Sequence, residues 1–516
     1  MTGLDRRELL GAVAGAGLLA ACTRSAGSGP GAPSSSLSSG RSGVPSPPRL
    51  VPAQPAQPPG PPDWAALARG LAGPLLRPGQ GGYDGARRLF DPRYDAIRPA
   101  AVAVVASAAD VAECVRFAAR YRVPITTRSG GHSYAGWSTG TGLVVNLSRL
   151  SSVASSGRVG AGAALIDVYA GLAGAGRGLP GGSCPTVGIA GLTLGGGIGV
   201  VARAYGLTCD NLLGAEVVTA DGRVRTVDAG HDPDLFWALR GGGGGNVGIV
   251  TSFRFRTRAV GPVVHRFVRW PSARAAAVIP AWLAWVTGAP DALWSNLHLD
   301  VSPGGVPSVR ATVTYLGDAA SADRLVDRLA GMAGPFSSRS GGTLSWLDTM
   351  KLMAGCSGEP VAVCRQYRRQ GFAAISDVVS RPLPAAGARA LVAGAQRFAA
   401  GGGALSVIMD GLRGAVGRVG RADTAFWHRD ALCTVQYYTS LPAGAPRSTV
   451  DSRYAGLRAL RAAMAPYTSG GAYVNYLDPG LRGWQQAYYG GNYPRLQRIK
   501  AAYDPTRLFD FPQAIR

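Results

Sequence analysis

The residues best placed to do chemistry lie in three glycine-rich segments. The first, Arg128-Ser129-Gly130-Gly131-His132-Ser133-Tyr134, sets an imidazole in a run of small residues. Consecutive small residues expose successive backbone N–H groups, which can form a nest for a pyrophosphate. Gly130 and Gly131 permit positive φ and close approach to a ligand. His132 would then stand beside whatever the nest holds; the alternative is a tight turn with an incidental histidine. The second, Gly181 to Gly191, carries a thiol at Cys184 and runs on into Leu194-Gly195-Gly196-Gly197-Ile198-Gly199. The third, Gly241 to Gly245, leads into Asn246-Val247-Gly248-Ile249-Val250. Backbone this bare can lie against a flat ring system and its attached chain.

These loops need elements to hold them. Ala101 to Ala106 reads as a short strand. Ser107, three residues before Asp110, starts a helix with Val111, Cys114, Val115 and Ala118 on one face, running to Tyr121. Val123 to Thr127 is the next strand, so a β-α-β unit delivers the His132 loop. Glu216 to Val224 reads as a hairpin with an Asp221-Gly222 turn. Asp232-Pro233 starts a helix running to about Arg240. Beyond the third cluster, Phe253 and Phe255 alternate with Arg254 and Arg256 as a strand does. Further on, Ser308 to Tyr315, Leu405 to Asp410 and Cys433 to Thr439 read as strands, and Ala319 to Gly331 as a helix.

Other functions are excluded or disfavoured. The chain has 516 residues, 75 of them glycine, and a formal charge of +23. Lys351 and Lys500 are its only lysines, and the arginines are spread along the chain. No basic run interleaved with aromatics and no nucleic-acid-binding signature accompanies the charge, so nucleic-acid binding is not expected. Gly197-Ile198-Gly199-Val200-Val201-Ala202 fits a dinucleotide fingerprint, but without a clean strand-turn-helix unit. No G-K-[ST] follows any glycine cluster, which excludes a P-loop. No cysteine or histidine spacing matches a zinc site, so no metal is expected.

Taken together, the RSGGHSY, GGSCPTVGIAGLTLGGGIG and GGGGGNVGIVT segments resemble berberine-bridge-enzyme-like oxidases. These form a subgroup of the vanillyl-alcohol-oxidase superfamily that includes glucooligosaccharide oxidases. Phe426-Trp427-His428-Arg429-Asp430 and the stretch from Tyr488 to Gln513 agree, so the resemblance runs from about residue 80 to the end. It implies an α+β fold: a PCMH-type FAD-binding domain, plus a substrate domain with an antiparallel sheet backed by helices. The expected regions are an FAD domain at 80–260, a substrate domain at 261–469, and a segment at 470–516 returning to the FAD domain.

The resemblance also implies chemistry. FAD would be bonded at both His132, through its 8α-methyl carbon, and Cys184, through its C6. Arg128, Ser129, Gly130, Gly131, Ser133, Gly188, Gly191, Gly196, Gly199, Gly248, Val250 and Asn492 would line the cofactor. Val187, three residues after the cysteine, occupies the position associated with O2 access. In Tyr473-Val474-Asn475-Tyr476-Leu477-Asp478 the second tyrosine, Tyr476, is the expected catalytic base. Tyr473 would point to the opposite face if the segment is extended, or lie one turn back if it is helical. Asp410 aligns with a carboxylate that pairs with that tyrosine, although Arg413 stands where the family often has glycine. Gln436 and Tyr438, alternate residues of one strand, are candidate substrate contacts. The expected activity is hydride transfer from an alcohol (a sugar, an oligosaccharide or a natural-product alcohol) to flavin N5 with O2 reduced to H2O2. The alternatives are a flavin dehydrogenase using another acceptor, and a non-catalytic basic binding protein.

The N-terminus adds a location. Arg6-Arg7 ahead of a short apolar stretch resembles a twin-arginine export signal, and Leu19-Ala20-Ala21-Cys22 resembles a lipobox. Residues 1–22 would therefore direct export, with a possible lipid anchor at Cys22, and the Ser/Gly/Pro-rich 23–62 would form a tether. Cys356 and Cys364 are close enough to pair after export, a question of geometry.

Overall fold

The helix Ala108–Tyr121 shows how local sequence builds the first half. The Ser107 hydroxyl accepts from the Asp110 amide at 3.1 Å, capping the helix start, and Val111, Cys114, Val115 and Ala118 are buried. The strands on either side, Ala101–Val104 and Ile125–Arg128, both pair in parallel with Leu143–Asn146. In the computed structural model, residues 57–366 and 368–516 are described, and everything from Pro58 onward forms one compact unit. Arg6, Arg7, Cys22 and most of the expected tether lie outside the described residues. The end of that tether is corrected: Pro61 opens the helix Pro61–Gly70, which buries Trp64 and Leu67. Leu75–Leu76 then adds an antiparallel edge strand to Ala101–Val104, so the first folded half begins well before residue 80.

A second four-stranded antiparallel sheet runs in the order Arg158–Gly160, Ile249–Phe255, Leu212–Val218, Val224–Val227. Phe253 and Phe255 are buried in it. One continuous apolar core joins these two sheets and extends to Leu496, Ile499, Phe509 and Ile515 of the C-terminal segment. That segment is tied to the third glycine cluster by the buried Lys500 amine. It donates to the Asn246 carbonyl at 2.7 Å and to the Asp504 carboxylate at 2.6 Å.

The other half is a seven-stranded antiparallel sheet in the order Ser338–Leu344, Val263–Trp270, Pro307–Tyr315, Leu293–Val301, Leu405–Gly411, Cys433–Leu441, Gly371–Val379. Alternation sorts its residues between faces. Leu405, Val407 and Met409 join a separate core with the helices Ala275–Thr287, Ala319–Ala333, Ala385–Ala400 and Arg447–Met464, while Ser406, Ile408 and Asp410 turn the other way. This sheet, backed by helices on one face, is the α+β arrangement that the resemblance implied. Cys356 and Cys364 form a disulfide, with their Cα atoms 5.7 Å apart.

Candidate active site

Two of the glycine segments dock backbone to backbone. A Cβ on Gly130 would sit 2.2 Å from the Gly188 nitrogen, and one on Gly188 would sit 2.2 Å from the Gly130 nitrogen. No side chain fits that gap. The approach brings the His132 loop against the Cys184 turn. His132 Nε2 lies 2.9 Å from the Thr186 hydroxyl, and Phe90 stacks on the imidazole at 4.1 Å between ring centroids. Burial depresses the His132 pKa to about 4, so the ring is neutral near pH 7. The Cys184 thiol is half-buried. Burial raises its pKa, opposed by hydrogen bonds from the Thr186 amide and hydroxyl and the Val187 amide. Thr186 thus touches both candidate attachment residues, a contact that sequence reading missed. Its only signal was a hydroxyl two positions after the cysteine.

From this corner a cavity opens between the glycine segments. Ser129, Gly130, Gly131, His132, Ser133, Val187, Gly188, Gly191, Gly248, Val250 and Tyr476 all line it. Where Gly191 would carry a Cβ there is nothing within 4 Å, and at Gly244 and Gly245 the nearest atoms are 3.9 Å away. Side chains there would project into the space, which fits a large planar guest lying on bare backbone. Among the described residues, no lysine or arginine lines the cavity. A diphosphate inside it would therefore have to be met by backbone N–H dipoles, as a nest provides.

Four expected cofactor residues are placed elsewhere. The Arg128 guanidinium is committed to the Ala86 and Arg88 carbonyls, because a buried cation needs acceptors at once. Asn492 donates to the carbonyls of Arg421, Thr424 and Ala425 and clamps that loop. Gly196 makes room for the Phe426 ring, 2.8 Å from where its Cβ would be, and Gly199 for the Gly181 carbonyl at 1.9 Å. These glycines serve packing between chain segments. Cys184 also lies off the lining and reaches His132 through Thr186.

At the other wall of the cavity sits an aromatic group. Tyr476 stacks on Tyr134 at 5.5 Å and meets Tyr473 edge-on at 5.0 Å. The segment is neither extended nor helical: the Tyr476 amide donates to the Tyr473 carbonyl at 2.8 Å in a turn. Tyr473 is directed away, its hydroxyl accepting from the Gly197 amide at 2.8 Å. Tyr476 is half-buried, on the cavity lining. Burial raises its pKa well above the ordinary value, and the nearby Asp410 raises it further. Asp410 itself is pushed up to about 6 by burial, opposed by a hydrogen bond from Asn296, its cross-strand partner. Gln436 donates to the Tyr134 hydroxyl at 2.6 Å, and Tyr438 stacks on Phe372 at 5.5 Å. Both share the face of Asp410, whereas Tyr437 is buried in the core on the opposite face. Asn296 and Phe372 were not singled out from sequence; strand alternation alone could have placed them.

Known proteins match this arrangement. Residues 99–228 match the FAD binding domain family, and residues 472–516 the family described as berberine and berberine like. The FAD-linked oxidoreductase YgaK of Bacillus subtilis is 33% identical, over 79% of this chain and 88% of its own. The chitooligosaccharide oxidase of Gibberella zeae is 31% identical, over 81% of this chain and 87% of its own. Among solved structures, the glucooligosaccharide oxidase of Acremonium strictum, with its 6-S-cysteinyl, 8α-N1-histidyl FAD, is 26% identical. It covers 88% of this chain and 99% of its own, with a TM-score of 0.78. The motifs, the fold and the relatives converge: the chain belongs to the berberine-bridge-enzyme-like family of FAD-linked oxidoreductases.

Proposed function

We propose that this protein is an exported oxidase that carries FAD bonded to both His132 and Cys184, oxidises an alcohol group and reduces O2 to H2O2. The observation that carries this reading is one cavity lined by His132, Val187 and Tyr476, with Cys184 joined to the His132 corner through Thr186. When bound, FAD supplies the acceptor for the hydride leaving the substrate carbon.

The chain's own residues supply the rest. Tyr476 takes the hydroxyl proton. Its proton affinity is too high for a standing phenolate at neutral pH, so it passes its own proton towards Asp410 as it takes the substrate's. Asp410, ionised above about pH 6, is the acceptor and strengthens the base. Val187, half-buried on the cavity wall, would leave room for O2 beside a bound flavin. Gln436, bonded to the Tyr134 hydroxyl, and the stacked Phe372 and Tyr438 lie behind the aromatic wall of the cavity, an amide-and-aromatic setting that suits a sugar ring, in keeping with the oligosaccharide oxidases among the relatives. Export is supported by Arg6-Arg7, by Cys22 as a lipid attachment point and by the Cys356–Cys364 disulfide, a bond that persists in oxidising compartments.

Acid-precipitated protein should stay yellow, and a panel of carbohydrates and aromatic alcohols should reveal a substrate that releases peroxide. Slow reoxidation of the reduced protein in air would replace the oxidase with a dehydrogenase using another acceptor.

A further inference from the structure

The contacts of Thr186 leave little freedom in where the local hydrogens go. A neutral imidazole carries one N–H, and a threonine hydroxyl has one hydrogen to donate and lone pairs to accept. His132 Nε2 lies 2.9 Å from Thr186 Oγ1, the Thr186 carbonyl accepts from the same ring, and the Thr186 hydroxyl and amide donate to the Cys184 sulfur. With the sulfur as thiolate, the attacking form and one with no hydrogen to give, one assignment satisfies all three groups: Nε2–H donates to Thr186 Oγ1, and Thr186 O–H donates to the sulfur. His132 Nδ1 is then left with a free lone pair, and Phe90 holds the ring from its face. The alternative arrangement, with the hydroxyl donating to Nε2, would put the imidazole hydrogen on Nδ1 and withdraw the hydroxyl from the sulfur.

We propose that Thr186 is a positioning residue for flavin attachment, its single hydroxyl fixing the His132 tautomer that leaves Nδ1 free while holding the Cys184 sulfur in place. The inference rests on the two-bond reading given above and names the residue that serves both bonds. Each attachment is an oxidation. One N–H or S–H of the protein and one C–H of the ring system are replaced by a single C–N or C–S bond. The two electrons and two protons pass through the flavin to O2, giving one H2O2 per bond. As Nδ1 bonds to carbon, positive charge develops on the imidazole, and the Nε2–H···Oγ1 hydrogen bond strengthens until that proton leaves. A purely structural threonine would leave the attachment rate independent of the hydroxyl.

The test compares full-length wild type, Thr186→Val and Thr186→Ser, purified and incubated in air. Over time, the fraction of flavin retained after acid precipitation is read by absorbance. Peptide mass mapping shows whether flavin joins the His132 peptide, the Cys184 peptide or both. Wild type and Thr186→Ser should carry both bonds. Thr186→Val should hold flavin largely unattached and form each bond about tenfold more slowly, the effect of one hydrogen bond at a reacting group. Both bonds forming at the wild-type rate in Thr186→Val would overturn the proposal. So would slow attachment in Thr186→Ser, which keeps the hydroxyl and loses only a methyl; where the valine variant does not fold, Thr186→Ala removes the same hydroxyl and is read in the same way. Absence of either bond in the wild type itself would instead remove the two-bond reading beneath it.

Discussion

In the half that cradles the cofactor, backbone packs on backbone; in the seven-stranded half, side chains alternate between a core and a cleft. Gly130 and Gly188 leave no volume for a methyl group, and their removal would move whole segments. Asp410, Gln436 and Tyr438 stand on a sheet whose hydrogen-bonded ladder does not depend on them. On the proposed reading the first half would fix what is bound, and the second could change what is oxidised without disturbing the fold. That contrast predicts how substitutions should rank.

The largest effect is expected at the backbone contact. In Gly188→Ala the new methyl would lie 2.1 Å from the Ser129 hydroxyl and 2.2 Å from the Gly130 amide, so the two segments must separate. Overpacking that shifts backbone costs about 1–3 kcal/mol or more. Flavin content after purification should fall to near zero and the melting temperature should drop. An alanine variant that loads flavin normally would show that the two segments are not rigidly coupled.

Next comes the wall of the cavity. Tyr476→Phe keeps the ring that stacks on Tyr134 and removes only the acid–base group. Flavin content should be unchanged while kcat falls by about 10²–10⁴, the span of a lost general base. Turnover within a few-fold of wild type would move the base to another residue. Asp410→Asn should cost less, about tenfold, and should change the pH profile. Because Asp410 titrates near 6 in the folded protein, the wild-type kcat should fall as pH drops through about 6. The asparagine variant should lose that limb.

The same contrast explains what could be read from sequence. The cradle was legible because closely approaching backbone demands glycine, and glycine clusters are visible without any partner. Their individual purposes were less so: Gly196 and Gly199 belong to the same runs as Gly188 and Gly191 but face Phe426 and Gly181, and only folding decides which way a bare backbone turns. Arg128 and Asn492 were misplaced for a related reason. Side chains in a binding motif can serve it indirectly, by holding the carbonyls of adjacent loops. In the sheet half, strands and the Ala319–Ala333 helix were readable from periodicity, but Asn296 meets Asp410, and Phe372 meets Tyr438, only through register, which no local pattern specifies.

Asp377 offers the finest test, because it matches Asp410 in residue type and burial but occupies the other face. Both are buried aspartates of the same sheet, and burial raises both to about 6. Asp377 faces the helices, 4.0 Å from Arg461 of Arg447–Met464 and away from the cleft. Asp377→Asn should therefore leave the pH dependence of kcat untouched. Its signature should appear in stability instead. An acid whose folded pKa exceeds its unfolded value of about 3.9 holds its proton more tightly when folded, so that group's contribution to stability declines as pH rises from about 4 to about 6. Removing the titration removes the decline. The stability difference between Asp377→Asn and wild type, followed by chemical denaturation, should shift in favour of the variant by about 1–3 kcal/mol across that window and stay flat above it. The absolute offset also carries the lost attraction to Arg461, so the slope is the diagnostic quantity. An acidic limb of kcat that vanished in Asp377→Asn but survived in Asp410→Asn would assign the proton acceptor to the wrong face of the sheet, and the division between core and cleft would no longer account for the chemistry.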